Sequence, residues 1–87
     1  MNIVKEEIKA FIKASFTTYK IDIMEFDSGA MVVDIFRAKD LIVIQYGLTY
    51  IGVSVIPDDD PAAGWGAPDE VVYTVHDFKN CINKISK

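Results

Sequence analysis

The chain has 87 residues, of which 51% are hydrophobic, and a formal net charge of −4. This length suffices for one domain with a single hydrophobic core, and the apolar content excludes a disordered chain. With one cysteine, Cys81, and one histidine, His76, the chain cannot close an internal disulfide, and a zinc site is not expected. We therefore expect no structural metal and no cofactor.

The first predicted element is an amphipathic helix from Asn2 to about Thr18. Lysines and glutamates occupy one side of it, and no apolar run in the chain is long enough to span a membrane. The acidic residues near its start do not fit a secretory signal, so we expect a cytoplasmic protein. Its apolar positions, spaced by three and four, are Val4, Ile8, Phe11, Ile12, Phe16 and Tyr19.

Four strands in an antiparallel meander are predicted next, over residues 20–26, 31–36, 41–46 and 49–56. They are rich in β-branched and aromatic residues, and turn sequences at 27–29 and 37–40 separate the first three. The third and fourth strands have apolar residues on both faces over part of their length. This pattern indicates that helices cover one face of the sheet and that a second layer or a dimer contact covers the other.

The chain closes with a predicted helix that follows a short strand or extended segment at residues 70–73. Thr74 is suited to cap this helix, with Asp77 three residues later. Its inward residues would be Phe78, Cys81, Ile82 and Ile85. The predicted fold class is α+β, with an N-terminal helix, a four-stranded antiparallel meander sheet, an acidic loop and a C-terminal helix in one domain of residues 1–87.

The acidic loop, residues 57–68, is the strongest indication of function. It contains three prolines, two glycines, Asp58, Asp59, Asp60 and the only tryptophan, Trp65. Proline and glycine disfavour regular structure, and loops of this length are usually functional. Between residues 57 and 77 there are six acidic side chains and no lysine or arginine. Such a patch repels nucleic-acid phosphates and attracts a basic protein.

These observations predict a partner-binding site with Trp65 as an anchor, because tryptophan is enriched at the centre of binding interfaces. Two other interpretations stay open: the carboxylates only keep the protein soluble, or Trp65 folds back over the sheet. The predicted partner-binding residues are Asp58, Asp59, Asp60, Trp65, Asp69 and Glu70.

No catalytic or metal site is predicted. The aspartates at 58–60 lack the ligand spacing of a calcium-binding loop. His76 and Asp77 would point about 100° apart on a helix, and Cys81 lies on the predicted inward side, where a thiol behaves as a small apolar group. We therefore expect a protein that is not an enzyme.

The whole chain resembles the small cytosolic immunity proteins that bacteria encode beside polymorphic or contact-dependent toxins. The resemblance includes the opening helix, the meander, the strand end at residues 52–59 (GVSVIPDD), the acidic aromatic loop and the closing helix around residues 77–82 (DFKNCI). It implies a tight inhibitor whose acidic loop covers the basic active-site cleft of a cognate toxin, such as a nuclease.

Two alternatives belong to other classes of protein. One is an acidic anti-defence inhibitor encoded by a phage or plasmid, whose carboxylates would be spaced like phosphates along one face. The other is a homo-oligomeric module for assembly or for a small ligand, in which the outward face of the sheet pairs two copies as a homodimer.

Overall fold

The structure is a computed structural model that describes residues 2–47, 49–57 and 69–86. In these ranges the elements are α1 (Asn2–Ser15), β1 (Lys20–Glu25), β2 (Met31–Phe36), β3 (Asp40–Tyr46), β4 (Ile51–Pro57), β5 (Glu70–Val72) and α2 (Val75–Ile85). The strands form one antiparallel sheet in the order β1-β2-β3-β4-β5. The predicted α+β class and the meander are therefore confirmed.

The predicted number of strands was wrong, because the sheet has five. The fifth strand, β5, is three residues long and pairs with β4 from Val53↔Glu70 to Ile51↔Val72. A segment of three residues is too short to show the alternation of apolar and polar side chains that identifies a strand. It forms a strand because it pairs with the edge of β4. The predicted acidic loop at 57–68 lies, beyond Pro57, outside the described residues.

The helix α1 ends at Ser15, earlier than predicted. The amide of Phe16 still donates to the carbonyl of Ile12 at 3.0 Å, but the next bond, from Tyr19 to Phe16 at 3.2 Å, belongs to a turn. Two threonines lie between, and β-branched residues are weak helix formers. As a result Tyr19, expected on the buried side, is 42% exposed.

The two helices cover one face of the sheet, which we call the inner face. Burial alternates along β2 and β3, so that every second side chain faces the helices. The helices also meet each other, with the rings of Phe11 and Phe78 edge to face at 6.3 Å. The core joins Ile8, Ile12 and Phe16 of the α1 region and Phe78, Cys81 and Ile82 of α2 to Met31, Val33, Ile35, Ile42, Ile44, Ile51, Val53 and Val72 of the sheet.

The opposite side of the sheet, which we call the outer face, consists of three rows of side chains across the strands. No helix or strand in the described part of the chain lies on this face. The predicted second layer or dimer contact there stays a prediction. The rows, from β1 onward, are Lys20, Phe36, Leu41 and Ile56; then Asp22, Asp34, Val43 and Ser54; then Met24, Val32, Gln45, Gly52 and Val71.

A buried ion pair connects the β2–β3 turn to the end of α2. The Nε and Nη2 atoms of Arg37 each donate to one carboxylate oxygen of Asp40 at 2.6 Å, and both side chains are 8% exposed. The third donor, Nη1, binds the carbonyl of Ile85 at 2.6 Å. That carbonyl belongs to the last turn of α2, where the helix itself leaves acceptors unpaired. The hydrogen bonds from Arg37 hold the pKa of Asp40 below its ordinary value.

Replacing Arg37 by methionine (Arg37→Met) should lower the free energy of unfolding by about 3 kcal/mol, because it leaves a buried carboxylate without its partner. Urea denaturation at neutral pH measures this. Lys39→Met, in the same turn but exposed, is the matched control and should change stability little. The double variant Arg37→Met/Asp40→Asn should recover part of the loss.

The stability that this pair contributes should depend on pH in one direction. Since the folded-state pKa of Asp40 is lowered from 3.8, the contribution is fully present above that value and is lost as pH falls through the lowered pKa. A stability difference between the parent and Arg37→Met that stays constant as pH falls through this range would contradict the assigned role.

Candidate protein-binding surface

The structure describes two of the six residues predicted to bind a partner. Asp69 and Glu70 lie at the start of β5, whereas Asp58, Asp59, Asp60 and Trp65 lie outside the described residues. The two described carboxylates are neighbours in sequence but make different contacts. Their assignment to a partner site stays a prediction.

Asp69 accepts a hydrogen bond from the β4 backbone. Its Oδ2 atom lies 2.9 Å from the amide nitrogen of Val55. Because β5 pairs with β4 only opposite residues 51–53, Val55 lies beyond the end of the strand pairing. The carboxylate thus takes the place of a missing strand neighbour, and it fixes the residue at which β5 begins.

Glu70 lies on the inner face at the edge of the sheet, opposite Val53. One of its carboxylate oxygens is 4.0 Å from the ammonium group of Lys84 in α2, and these side chains are 46% and 71% exposed. So exposed a pair contributes little to stability. It does place a positive charge beside this carboxylate, so Glu70 adds less to the acidic surface than its sequence position indicates.

An open cleft of ≈ 590 Å³ lies between β5 and α2, and Glu70, Lys84 and Cys81 are among its lining residues. Cys81 itself is only 5% exposed. Burial, followed by the hydrogen bond and charge of Glu70, raises the pKa of its thiol to about 12. A thiol that stays protonated at neutral pH is a poor nucleophile. The prediction that Cys81 packs as a small apolar group is confirmed.

The start of α2 has the predicted capping geometry. Thr74 is extended, and its hydroxyl oxygen accepts a hydrogen bond from the amide of Asp77 at 3.0 Å. The His76 ring lies 3.3 Å from the side-chain amide of Asn80, one turn along the helix. Among the described residues, no group of three or more His, Cys, Asp or Glu side chains could hold a metal ion.

Several basic side chains are already paired within the molecule. Lys5 and Lys9 of α1 both contact Glu25 at the β1 edge, at 3.3 and 3.2 Å. In α2, Lys79 lies 3.4 Å from Glu7. Lys84, opposite Glu70, is the one cation in the described ranges that forms an ion pair with a carboxylate of residues 57–77.

Asp22 and Asp34 were not among the residues predicted from the sequence. They lie directly opposite each other on β1 and β2 of the outer face. The sequence does contain a signal for this pairing, which is the turn at residues 27–30 between two segments of alternating apolar and polar residues. A hairpin turn fixes which residues of its two strands face each other. Gly29 has φ of 96°, a conformation that suits glycine.

No protein family, curated protein or solved structure was found to match this chain. Neither helix in the described ranges is long and apolar enough to cross a lipid bilayer.

Replacing Asp69 by alanine (Asp69→Ala) should lower the free energy of unfolding by about 1 kcal/mol, the scale of one net hydrogen bond. Asp69→Asn keeps an acceptor oxygen for Val55 while it removes the charge, so it should retain most of the stability. Thermal unfolding of both variants at neutral pH distinguishes the two effects. Equal loss in both would show that the charge, and not the acceptor, stabilises β5.

Proposed function

We propose that this protein is a non-catalytic inhibitor that acts in the cytoplasm and neutralises a toxin. It covers the basic active-site cleft of the toxin with the acidic segment around Trp65. The observation that supports this proposal best is the run of six carboxylates without lysine or arginine between residues 57 and 77. A nuclease fits as the toxin, because the cations that hold its phosphates also attract carboxylates.

The described ion pairs support the proposal, because they show that nearby lysines of α2 are already paired with glutamates. Lys79 is engaged with Glu7 and Lys84 with Glu70. Asp58, Asp59 and Asp60 are adjacent in the sequence, so they concentrate charge in a short stretch. Described residues on both sides of this stretch are held in the sheet. Pro57 is the last residue of β4, and Asp69 accepts a hydrogen bond from the amide of Val55 in β4.

In this mechanism charge and tryptophan have different roles. Carboxylates at the surface attract the basic partner from a distance and mainly raise the association rate. A tryptophan buried in the complex slows dissociation, because its large apolar surface leaves water. Together Asp58, Asp59, Asp60, Asp69 and Glu70 would steer the encounter, and Trp65 would anchor the complex.

A homo-oligomeric module is the second candidate, and the outer face of the sheet favours it. Met24 and Phe36 on this face are 60% and 41% exposed, and exposed apolar side chains of this kind suit an interface between two copies. Sedimentation velocity separates the candidates, because a stable dimer supports the module and a monomer supports the inhibitor. The anti-defence inhibitor is less well supported, since five of the six carboxylates in residues 57–77 stand in two consecutive runs, 58–60 and 69–70, rather than spaced along a face.

The first test is recovery of the tagged protein from its native cytoplasm at moderate salt, alongside Trp65→Ala. We expect one stoichiometric basic protein that is lost with this variant. In calorimetry with that protein, Trp65→Ala should weaken binding by about 2 kcal/mol or more. Tyr73→Ala removes another aromatic residue, 74% exposed, and should leave binding unchanged. Equal binding by the Trp65→Ala variant would remove Trp65 from the site.

Neutralising Asp58, Asp59 and Asp60 together as asparagines should slow association with that partner and reduce its dependence on salt, with a smaller effect on dissociation. Stopped-flow measurements across salt concentrations test this. A control variant with Glu6, Glu7 and Asp27 neutralised has the same net charge. If the salt slope of the first variant equals that of the parent, the carboxylates serve solubility alone.

A further inference from the structure

A pair of carboxylates lies within the apolar part of the outer face. Asp22 and Asp34 are directly opposite in the register of β1 and β2, which places their Cβ atoms about 4.5–5.5 Å apart. On the strand of Asp34, the neighbours on the same face are Val32 and Phe36, and Val43 lies beside it on β3. The carboxylate of Asp34 is thus surrounded by apolar groups on three sides.

Neither carboxylate has an ion-pair partner among the described residues. The one cationic side chain in the described strand residues of this face is Lys20, and its ammonium group lies over the Phe36 ring, 5.5 Å from the centroid. Like charges directly opposite in a sheet destabilise it. The described part of the chain therefore carries two facing negative charges without an ion-pair partner for either.

The environment of Asp34 has a measurable consequence. Burial, and after it the charge of Asp22, raises the pKa of Asp34 above its ordinary 3.8. The charged form is thus disfavoured in the folded state, and stability decreases as pH rises through the raised pKa. This direction agrees with the geometry of two carboxylates directly opposite each other on the outer face.

We propose that the outer face is a docking surface for a protein partner that inserts an arginine between Asp22 and Asp34 and packs apolar side chains around it. A guanidinium group has five donors in a planar fork and can bind both carboxylates at once. Phe36, Val43 and Val32 supply the apolar surface around the ion pair. The exclusion of water there strengthens the charge-assisted hydrogen bonds.

Charge complementarity favours this occupant over a second copy of the chain. Two copies packed face to face would bring four carboxylates into a partly dehydrated interface, with one lysine from each copy to oppose them. A divalent cation is also a poorer fit, because calcium takes six to eight oxygen ligands. The described residues bring no third carboxylate, histidine or cysteine to the pair.

The proposal extends beyond the toxin inhibitor and does not depend on it, because the outer face and the segment at 57–70 share no residue. The outer face would add a second contact if the two surfaces bound the same partner. The test therefore uses the isolated protein and variants that leave Trp65 and the aspartates at 58–60 intact.

The probe is a displayed library of short disulfide-cyclised peptides, selected for binding to the full chain. We expect enrichment of arginine flanked by apolar or aromatic residues. Binding of these peptides should weaken about tenfold or more in Asp22→Asn/Asp34→Asn, as for loss of a charge-assisted hydrogen bond. Amide shifts on peptide addition should map to β1, β2 and β3. The control Glu6→Gln/Glu7→Gln removes two charges from α1 and should bind as the parent does.

The same variant shows whether the fold is retained. Asp22→Asn/Asp34→Asn should melt at a higher temperature than the parent at neutral pH, and this difference should shrink as pH falls through the raised pKa of Asp34 toward its ordinary 3.8. Peptides that bind parent and variant equally, or that map to other residues, would overturn the proposal. A dimer in sedimentation that Val43→Asp dissociates would also overturn it, because the occupant would then be a second copy.

Discussion

The fold depends on one constraint, which is that two helices cover only one face of an antiparallel sheet. Nearly all of the fully buried apolar side chains lie between the inner face and the helices, and this single layer supplies the driving force for folding. The outer face contributes no residue to that core in the described part of the chain. Its composition is therefore under weaker packing constraint than the inner face, and it can hold residues that stability alone would not select.

Three aspartates show how position decides what a carboxylate does in this structure. Asp40 is buried and paired with Arg37, which also binds the end of α2. Asp69 replaces a strand neighbour at the edge of β4. Asp34 has neither kind of contact and faces another carboxylate. The first two fix the turn and the last strand to the sheet, whereas for the third, burial and the charge of Asp22 raise the pKa and disfavour the charged form.

Local patterns in the sequence predicted most of the fold, including α1, the first four strands and the cap of α2, because helix and strand periodicities are properties of short segments. They predicted a short strand or extended segment at residues 70–73 but did not place it in the sheet, because β5 is a strand through its pairing with β4. Within the turn predicted at residues 37–40, the contact from Arg37 to Ile85 spans 48 residues, and no local pattern indicates it. Of the predicted site, the hydrogen bond from the Val55 amide to Asp69 depends on where β5 begins, and no local pattern indicates it.

The two proposed surfaces would act at different stages of binding. Charges in water attract a partner over about 10 Å at moderate salt and are then screened, which suits the carboxylates at residues 58–60 to steering. Asp22 is exposed and Asp34 is half-buried in the isolated chain, but the proposed complex would dehydrate both carboxylates, so that the pair is screened less and gains most from a cation that replaces the lost water. In the proposed complex, an arginine would relieve the cost that burial and Asp22 impose on the charged form of Asp34. That relief would add to affinity, and it would favour partners that present arginine over partners of equal net charge that do not.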